Sequence, residues 1–143
     1  MERSVGRDKV LLLIEDDEND VFAFRRALSH CRFEGKLRVV ETSWEARDYM
    51  EGRGRYRDRS YYSVPDLIIS DFHLPGATGT EFVKWLREQP AFAKIPFIIW
   101  TGSVAAKELE RILAAGATSH HPKTAEFKTL CGHIQSILAH LSF

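Results

Sequence analysis

The chain has 143 residues, about the length of one globular domain, and its 20 lysines and arginines balance 20 aspartates and glutamates. Such a chain can bury a core without disulfides, and its zero formal charge gives no global field to attract nucleic acid or anionic lipid. The one candidate basic patch, Arg53 to Arg59, is more typical of a solvated loop. We therefore expect one domain over residues 1–143, with its core at about 9–141 and no nucleic acid partner.

Cysteine usage and hydropathy point to an intracellular protein. Cys31 and Cys131 lack CxxC spacing and fall at apolar positions of predicted helices, which is typical of small core residues in a reducing compartment. The longest apolar run near the N-terminus, Val10 to Ile14, is too short for a signal sequence or a membrane span. We expect a cytoplasmic location without membrane contact.

Five short apolar runs alternate with five amphipathic segments along the chain. The first run, Lys9 to Ile14, is continuous and rich in leucine, as in strands covered on both faces. The other predicted strands are at 37–40, 67–70, 97–100 and 119–121. This alternation predicts an α/β fold, a parallel sheet with right-handed crossovers and helices on both faces.

Local signals mark where the helices begin and end. Thr42 with Glu45, and Thr78 with Glu81, have the spacing of capping boxes. Gly116 closes the fourth helix in the usual C-terminal position. Apolar stripes complete the five helices: Val21, Phe24, Leu28 and Cys31 in the first, a segment up to Met50 in the second, Phe82, Trp85 and Leu86 in the third, Leu109, Ile112 and Leu113 in the fourth, and Phe127, Leu130, Ile134, Leu138 and Leu141 in the fifth.

Polar residues follow four of the predicted strands, at the sheet edge where open α/β folds bind ligands. They are Glu15, Asp16 and Asp17 after the first strand, Asp71 after the third, Thr101 after the fourth and Lys123 after the fifth. Clustered carboxylates need a cation, and a hard ion such as Mg²⁺ fits oxygen ligands and leaves room for phosphate. The hydroxyl of Thr101 and the ammonium of Lys123 are suited to binding the other oxygens of a phosphoryl group. Asp71 stands alone and is the better nucleophile candidate, whereas Glu15 and Asp16 suit the metal.

The chain contains four longer motifs, spread over nearly its whole length: "LLLIEDDE", "PDLIISDFHLPGATGTEF", "IPFIIWTGS" and "GATSHHPK". In this order and spacing they resemble the receiver domains of two-component response regulators. The resemblance implies a flavodoxin-like, CheY-like (βα)5 sandwich with a five-stranded parallel sheet in the order 2-1-3-4-5. The "PGATG" motif and the long loop at 52–65 resemble cyanobacterial-phytochrome response regulators, which implies a stand-alone receiver without an output domain.

The resemblance assigns a role to each strand-end residue. Asp71 is similar to the phosphoacceptor, Asp16 to the direct Mg²⁺ ligand, Glu15 to a ligand acting through water, and His73 to the residue whose backbone carbonyl completes the metal shell. The side chain of His73, two residues after the phosphoacceptor, is in a position that affects phosphate lifetime.

The other implied residues form the switch. Thr101 is similar to the switch hydroxyl, which we expect to bond only the phosphoryl oxygen, and Lys123 to the lysine that pairs with the phosphoryl group. His120 stands where the family commonly has an aromatic switch residue. The family's lysine usually precedes a cis proline, but Thr124 follows here, so we expect a trans bond.

The implied function is a signalling switch rather than an enzyme, with only self-catalysed phosphorylation and dephosphorylation. The phosphoryl donor would be a sensor histidine kinase, of phytochrome-like type, or a phosphotransfer protein. The downstream protein target and a homodimer are left open. Two alternatives remain: an unphosphorylated interaction module, and a haloacid-dehalogenase-type phosphatase, which would need an aspartate where His73 stands.

Two further residue types have simpler interpretations. Adjacent residues on a strand point to opposite faces, so His120 and His121 are poorly placed to share a zinc ion. Trp44, Trp85 and Trp100 are interpreted as packing residues, with Trp100 partly exposed beside the switch threonine.

Overall fold

The computed structural model describes residues 8–141, and within them five strands alternate with five helices. In chain order the elements are β1 (Val10–Ile14), α1 (Glu18–His30), β2 (Lys36–Val40), α2 (Ser43–Glu51), a short 3-10 helix (Gly54–Tyr56), β3 (Leu67–Ser70), α3 (Gly79–Glu88), β4 (Phe97–Thr101), α4 (Ala106–Ala115), β5 (Ser119–Pro122) and α5 (Phe127–Leu138). The predicted order of elements is confirmed.

All strand pairs in the sheet are parallel, and the order is β2-β1-β3-β4-β5. Every residue of β1, β3 and β4 is buried, as expected of apolar runs at the centre of a sheet. The edge strands β2 and β5 are only partly buried. The fold class and the strand order implied by the resemblance are therefore confirmed.

Alternating residues of the strands form two core layers. Leu11, Leu13 and Trp100 pack with residues of α1 and α5, such as Phe24 and Ile134. The neighbouring strand residues point the other way and pack with α2, α3 and α4. Both faces of the sheet are thus covered, which leaves the strand ends as the place where polar side chains can gather.

The predicted caps form, with one difference. Thr78 and Glu81 make a complete capping box at the start of α3. Thr42 accepts a hydrogen bond from the Glu45 amide (3.0 Å) at the start of α2, but the Glu45 carboxylate bonds the amide of Glu41 instead of Thr42. Both helices nevertheless begin where the sequence predicts.

The segment 53–59 is mostly exposed, as expected of a solvated loop, but it is held in order at two points. It contains the 3-10 helix, and Tyr56 is buried with its hydroxyl bonded to Glu45. The guanidinium of Arg59 donates to the carbonyls of Tyr49 (2.7 Å) and Met50 (3.1 Å) at the end of α2. An arginine that caps a helix end and a buried aromatic ring account for the order.

The tryptophan and cysteine predictions are partly wrong. Trp100 is fully buried because its ring points toward α1 and meets the ring of Phe24 edge-on. Trp44 is 66% exposed because it lies at the surface, against the loop at Gly76. Cys131 is buried, but Cys31 is only partly buried because α1 ends one residue before it.

No helix within residues 8–141 is both long enough and apolar enough to cross a membrane.

Candidate functional site

The carboxyl ends of β1, β3, β4 and β5 bring most of the predicted site residues together. Glu15, Asp71, Thr101 and Lys123 each lie at the end of one of these strands or just beyond it. Backbone hydrogen bonds continue the sheet there, from the Asp71 amide to the carbonyl of Ile14 (3.1 Å) and from the Lys123 amide to that of Thr101 (3.0 Å). The four side chains therefore stand on a rigid frame.

The Asp71 carboxylate is held by three donors. Its Oδ1 accepts hydrogen bonds from the Thr101 hydroxyl (2.7 Å) and the His73 amide (3.2 Å). Its Oδ2 accepts a bond from Lys123 Nζ at 2.9 Å. With the side chain 12% exposed, the carboxylate is fixed in orientation yet still reachable from solvent.

Lys123 stands at the centre of a group of carboxylates. Its Nζ lies 2.8 Å from Glu15 Oε1, 2.7 Å from Asp20 Oδ2 and 2.9 Å from Asp71 Oδ2. Burial alone would lower the pKa of Lys123, but the bonds to Asp20, Glu15 and Asp71 outweigh it and raise the pKa above its ordinary value. Lys123 is therefore an ammonium at neutral pH.

Glu15 is a buried acid with one poorly satisfied oxygen. It is 1% exposed, and its Oε2 accepts a bond from the Asp17 amide (3.1 Å). Its Oε1 forms an ion pair with Lys123 Nζ at 2.8 Å and has no other partner. Burial raises the pKa of Glu15, although Lys123 and the Asp17 amide act against the shift. Lys123 and the Asp17 amide thus offset only part of the cost of burying the ionised carboxylate of Glu15.

The other two residues of the expected metal set are placed less centrally. Asp16 is exposed at the rim. The ring of His73 turns toward the loop after β4, where Nε2 donates to the carbonyl of Ser103 (2.9 Å). Across residues 8–141, no three side chains of His, Cys, Asp or Glu form a group that could hold a metal ion. The ammonium of Lys123 accounts for this, because it lies among the carboxylates that would otherwise converge.

The side chains at this site still fit a hard divalent cation. Three carboxylates, from Glu15, Asp20 and Asp71, contact a single ammonium, and the exposed Asp16 follows Glu15 directly, so negative charge is in excess. All of these side chains offer oxygen ligands, and the Oε1 of Glu15 has no partner besides the Lys123 ammonium. Oxygen ligands and surplus negative charge are what Mg²⁺ requires in proteins.

Asp20 was missed by the sequence reasoning, although it binds Lys123 as closely as the predicted partners do. No local signal marks it, because Asp20 lies in the first turn of α1 and its partner is 103 residues away in the sequence. Asp17, three residues before Asp20, accepts bonds from the amides of Asn19 (2.8 Å) and Asp20 (3.1 Å) as the cap of α1.

The expectation that Thr101 bonds only a phosphoryl oxygen is wrong. Its hydroxyl already bonds the Asp71 carboxylate. Thr101 is 2% exposed, and a buried hydroxyl needs a partner, which the neighbouring carboxylate supplies.

His120 lies half-buried on β5, opposite Ile99 of β4. Burial and, to a smaller degree, the neighbouring His133 lower its pKa, so its ring is neutral at neutral pH. The next residue, His121, contacts α5 instead, in agreement with the expected alternation. The Lys123–Thr124 bond is trans as predicted, since residues 8–141 contain no cis peptide.

Comparisons with known proteins agree with this fold. A family model described as response regulator receiver domain matches residues 11–135. The response regulator Rcp1 of Synechocystis sp. is 23% identical over 129 residues, which cover 90% of this chain and 86% of Rcp1.

Two solved structures are also similar. The phosphorylated cyanobacterial phytochrome response regulator RcpA has a TM-score of 0.83 and 23% identity, over 94% of each chain. The bacteriophytochrome response regulator AtBRR has a TM-score of 0.78 and 25% identity, over 96% of this chain and 98% of AtBRR.

Two other curated relatives are longer than this chain. The chain spans 46% of the two-component response regulator ARR3 of Arabidopsis thaliana, at 27% identity over 113 residues that are 75% of this chain. It spans 33% of the phosphate regulon regulatory protein PhoB of Rhizobium meliloti, at 33% identity over 75 residues that are 52% of this chain.

Proposed function

The chain belongs to the family of response regulator receiver domains, and from that membership we propose that it is a phosphorylation-controlled signalling switch with Asp71 as the phosphoacceptor. The observation that carries the proposal is the set of bonds on one carboxylate. Thr101 and the His73 amide hold its first oxygen, and Lys123 holds the second. The same three donors are suited to the oxygens of a phosphoryl group at that position.

The proposed reaction transfers a phosphoryl group from a phosphohistidine to Asp71. A carboxylate oxygen attacks phosphorus, an O–P bond forms, and the P–N bond of the donor breaks. The departing imidazole keeps the bonding electron pair and takes a proton from solvent. Lys123 remains charged throughout and pairs with the oxygens of the bound phosphoryl group. Water later attacks the same phosphorus, which releases inorganic phosphate and restores the carboxylate.

Asp16, Asp71 and Glu15 are the residues that would hold Mg²⁺, together with the His73 backbone carbonyl. When bound there, the ion would offset the negative charge that the phosphoryl group adds. Lys123 alone carries one positive charge against four carboxylates, so a second cation is needed before another anion can enter. Asp20 assists by holding the Lys123 ammonium through a 2.7 Å bond.

The signal would pass from Asp71 to the surface formed by α4, β5 and α5. Thr101 ends β4, and its carbonyl accepts a hydrogen bond from the Lys123 amide just beyond β5. A change at the carboxylate can therefore reach β5 both through the Thr101 hydroxyl and through the Lys123 ammonium. His120 lies on that strand, half-buried, where a shift of Thr101 would alter its packing.

The proposed donor is a cytoplasmic sensor histidine kinase of phytochrome type, or a phosphotransfer protein. The support for a phytochrome kinase is the similarity to RcpA and AtBRR, which are described as phytochrome and bacteriophytochrome response regulators. The phosphatase alternative has weaker support, because its second acid would be at His73, whose ring is bonded to Ser103. We further propose that the α4–β5–α5 surface binds a downstream protein target or a second copy of this chain.

Hydrogen exchange after treatment with acetyl phosphate and Mg²⁺ tests the switch. We expect altered exchange in α4, β5 and α5 of the wild type, and none in Asp71→Asn treated in the same way. If treated and untreated wild type show equal hydrogen exchange although Asp71 is phosphorylated, the protein accepts phosphate but does not act as a switch.

A further inference from the structure

Two histidines outside the phosphorylation site face each other across the junction of β5 and α5. The Nδ1 atoms of His121, on β5, and His133, on α5, are 2.9 Å apart. Their ring centroids are 5.0 Å apart, and the ring planes cross at 71°. One ring donates a proton to the other in this arrangement, so both Nδ1 atoms point into the same small space.

We propose that His121 and His133 form a binding site for a borderline transition-metal ion such as Zn²⁺. Imidazole nitrogen is a preferred ligand of Zn²⁺, Ni²⁺ and Cu²⁺, whereas Mg²⁺ prefers oxygen. The site therefore differs in chemistry from the carboxylate cluster around Asp71, and the two would select different ions.

The separation of the two nitrogens is close to what a metal needs. With Zn–N distances of about 2.0–2.1 Å and tetrahedral angles, two ligating nitrogens are roughly 3.3 Å apart. The rings would have to separate by only a few tenths of an ångström, which small side-chain rotations can supply. The proton shared by the two Nδ1 atoms would move to Nε2 of the ring that carries it, so that two neutral imidazoles remain.

The surroundings leave the other coordination positions open. β5 is the edge strand of the sheet, and both histidines are half-buried rather than enclosed. Because no third His, Cys, Asp or Glu completes a metal group within residues 8–141, water or a second molecule would supply the remaining ligands. Burial, together with His133, His120 and His140, lowers the pKa of His121, which favours the neutral imidazole that a metal binds.

A zinc titration in a large excess of Mg²⁺ tests the site, because Mg²⁺ then occupies the carboxylates. We expect wild type to bind one Zn²⁺, and His121→Gln and His133→Gln each to bind it about tenfold or more weakly. His30→Gln, which removes an imidazole at the end of α1, is the matched control and should bind as wild type does. Circular dichroism of each variant checks that it is folded.

Imidazole ¹⁵N chemical shifts of the wild type give a readout that needs no variant. Zinc should move the Nδ1 signals of two histidines, and these signals should be missing from the two glutamine variants. Unchanged Nδ1 shifts on addition of zinc, or equal zinc affinity of wild type and both variants, would mean that His121 and His133 are a hydrogen-bonded pair only.

Discussion

The Thr101 hydroxyl donates a 2.7 Å hydrogen bond to Oδ1 of the Asp71 carboxylate. Thr101 therefore has a charged partner before any phosphoryl transfer, in addition to the role that we propose for it afterwards. A ligand shifts a two-state equilibrium only by its differential interaction with the two states. By our proposal, the hydroxyl has a charged partner in both states, the carboxylate before phosphorylation and the phosphoryl group after it. We therefore expect the switch to depend on how this hydrogen bond changes, and not only on whether it forms.

Thr101→Ala should destabilise the protein even without phosphorylation. The substitution removes a buried hydrogen bond to a charged group, which is worth about 1.5–3 kcal/mol in the free energy of unfolding. Thr101→Ser keeps the hydroxyl and should recover most of that loss. Urea denaturation measures the difference. If the alanine and serine variants unfold at the same urea concentration, the hydroxyl does not stabilise the site.

Thr101→Ala should still accept phosphate from acetyl phosphate, though more slowly, and its α4–β5–α5 surface should respond more weakly than that of Thr101→Ser. Hydrogen exchange of the phosphorylated variants checks this. A full response in the alanine variant would show that the signal reaches β5 by another route, of which Lys123 is the obvious one.

Glu15→Gln should make the protein more stable at neutral pH in the absence of Mg²⁺. Burial raises the pKa of Glu15 above its ordinary value of 4.5. The native state therefore holds this proton more tightly than the unfolded chain does. That contribution to stability is complete below pH 4.5 and is lost as the pH rises through the raised pKa.

The gain in stability of Glu15→Gln over the wild type should shrink as the pH falls toward 4, because Glu15 of the wild type then also becomes neutral. Thermal unfolding in Mg²⁺-free buffer at several pH values measures it. Glu18→Gln, an exposed residue in the first turn of α1, is the control for loss of charge. Lower stability of Glu15→Gln at pH 7 would mean that the carboxylate is needed to hold Lys123.

Asp16→Asn should bind Mg²⁺ about tenfold more weakly or worse, because it replaces a carboxylate ligand with a neutral amide. Asp17→Asn is a matched control, since it removes the same charge one residue away and keeps an oxygen that can cap α1. Tryptophan fluorescence can follow binding, because Lys123 Nζ is 5.1 Å from the centre of the Trp100 ring. Equal Mg²⁺ affinity in the two variants would reject Asp16 as a ligand.

His73→Ala should accept phosphate as readily as the wild type does but should lose it faster. The ring bonds the Ser103 carbonyl and so ties the loop after β3 to the loop after β4, next to Asp71. Loss of this bond should loosen the two loops and admit water to the phosphoryl group. The decay of phosphorylated protein after removal of acetyl phosphate gives the rate, and identical half-lives would show that only the backbone of His73 matters.

Much of the fold was predictable because its local signals are strong. β1, β3 and β4 are continuous apolar runs, and each is buried along its whole length. The strand-end positions of Asp71 and Lys123 then follow from the parallel arrangement. Strand pairing between distant segments is not a local signal, so the order of the strands came from the family resemblance.

The details that were missed depend on contacts between distant residues. Asp20 binds Lys123 across 103 residues of sequence, and no periodic pattern on α1 announces that bond. The bond between Thr101 and Asp71 likewise depends on how two side chains are turned within a buried space. Charge composition correctly indicated a mostly exposed loop at 53–59, but it could not show that Arg59 anchors this loop to the end of α2.

The central claim, that Asp71 accepts the phosphoryl group, is tested most directly by intact-mass spectrometry after incubation with acetyl phosphate and Mg²⁺. We predict one acid-stable, base-labile phosphoryl group on the wild type, absent without Mg²⁺ and absent from Asp71→Asn. Asp20→Asn, which keeps the acceptor, should still be modified. A phosphoryl adduct of equal yield on Asp71→Asn, or one mapped to a histidine, would contradict the assignment.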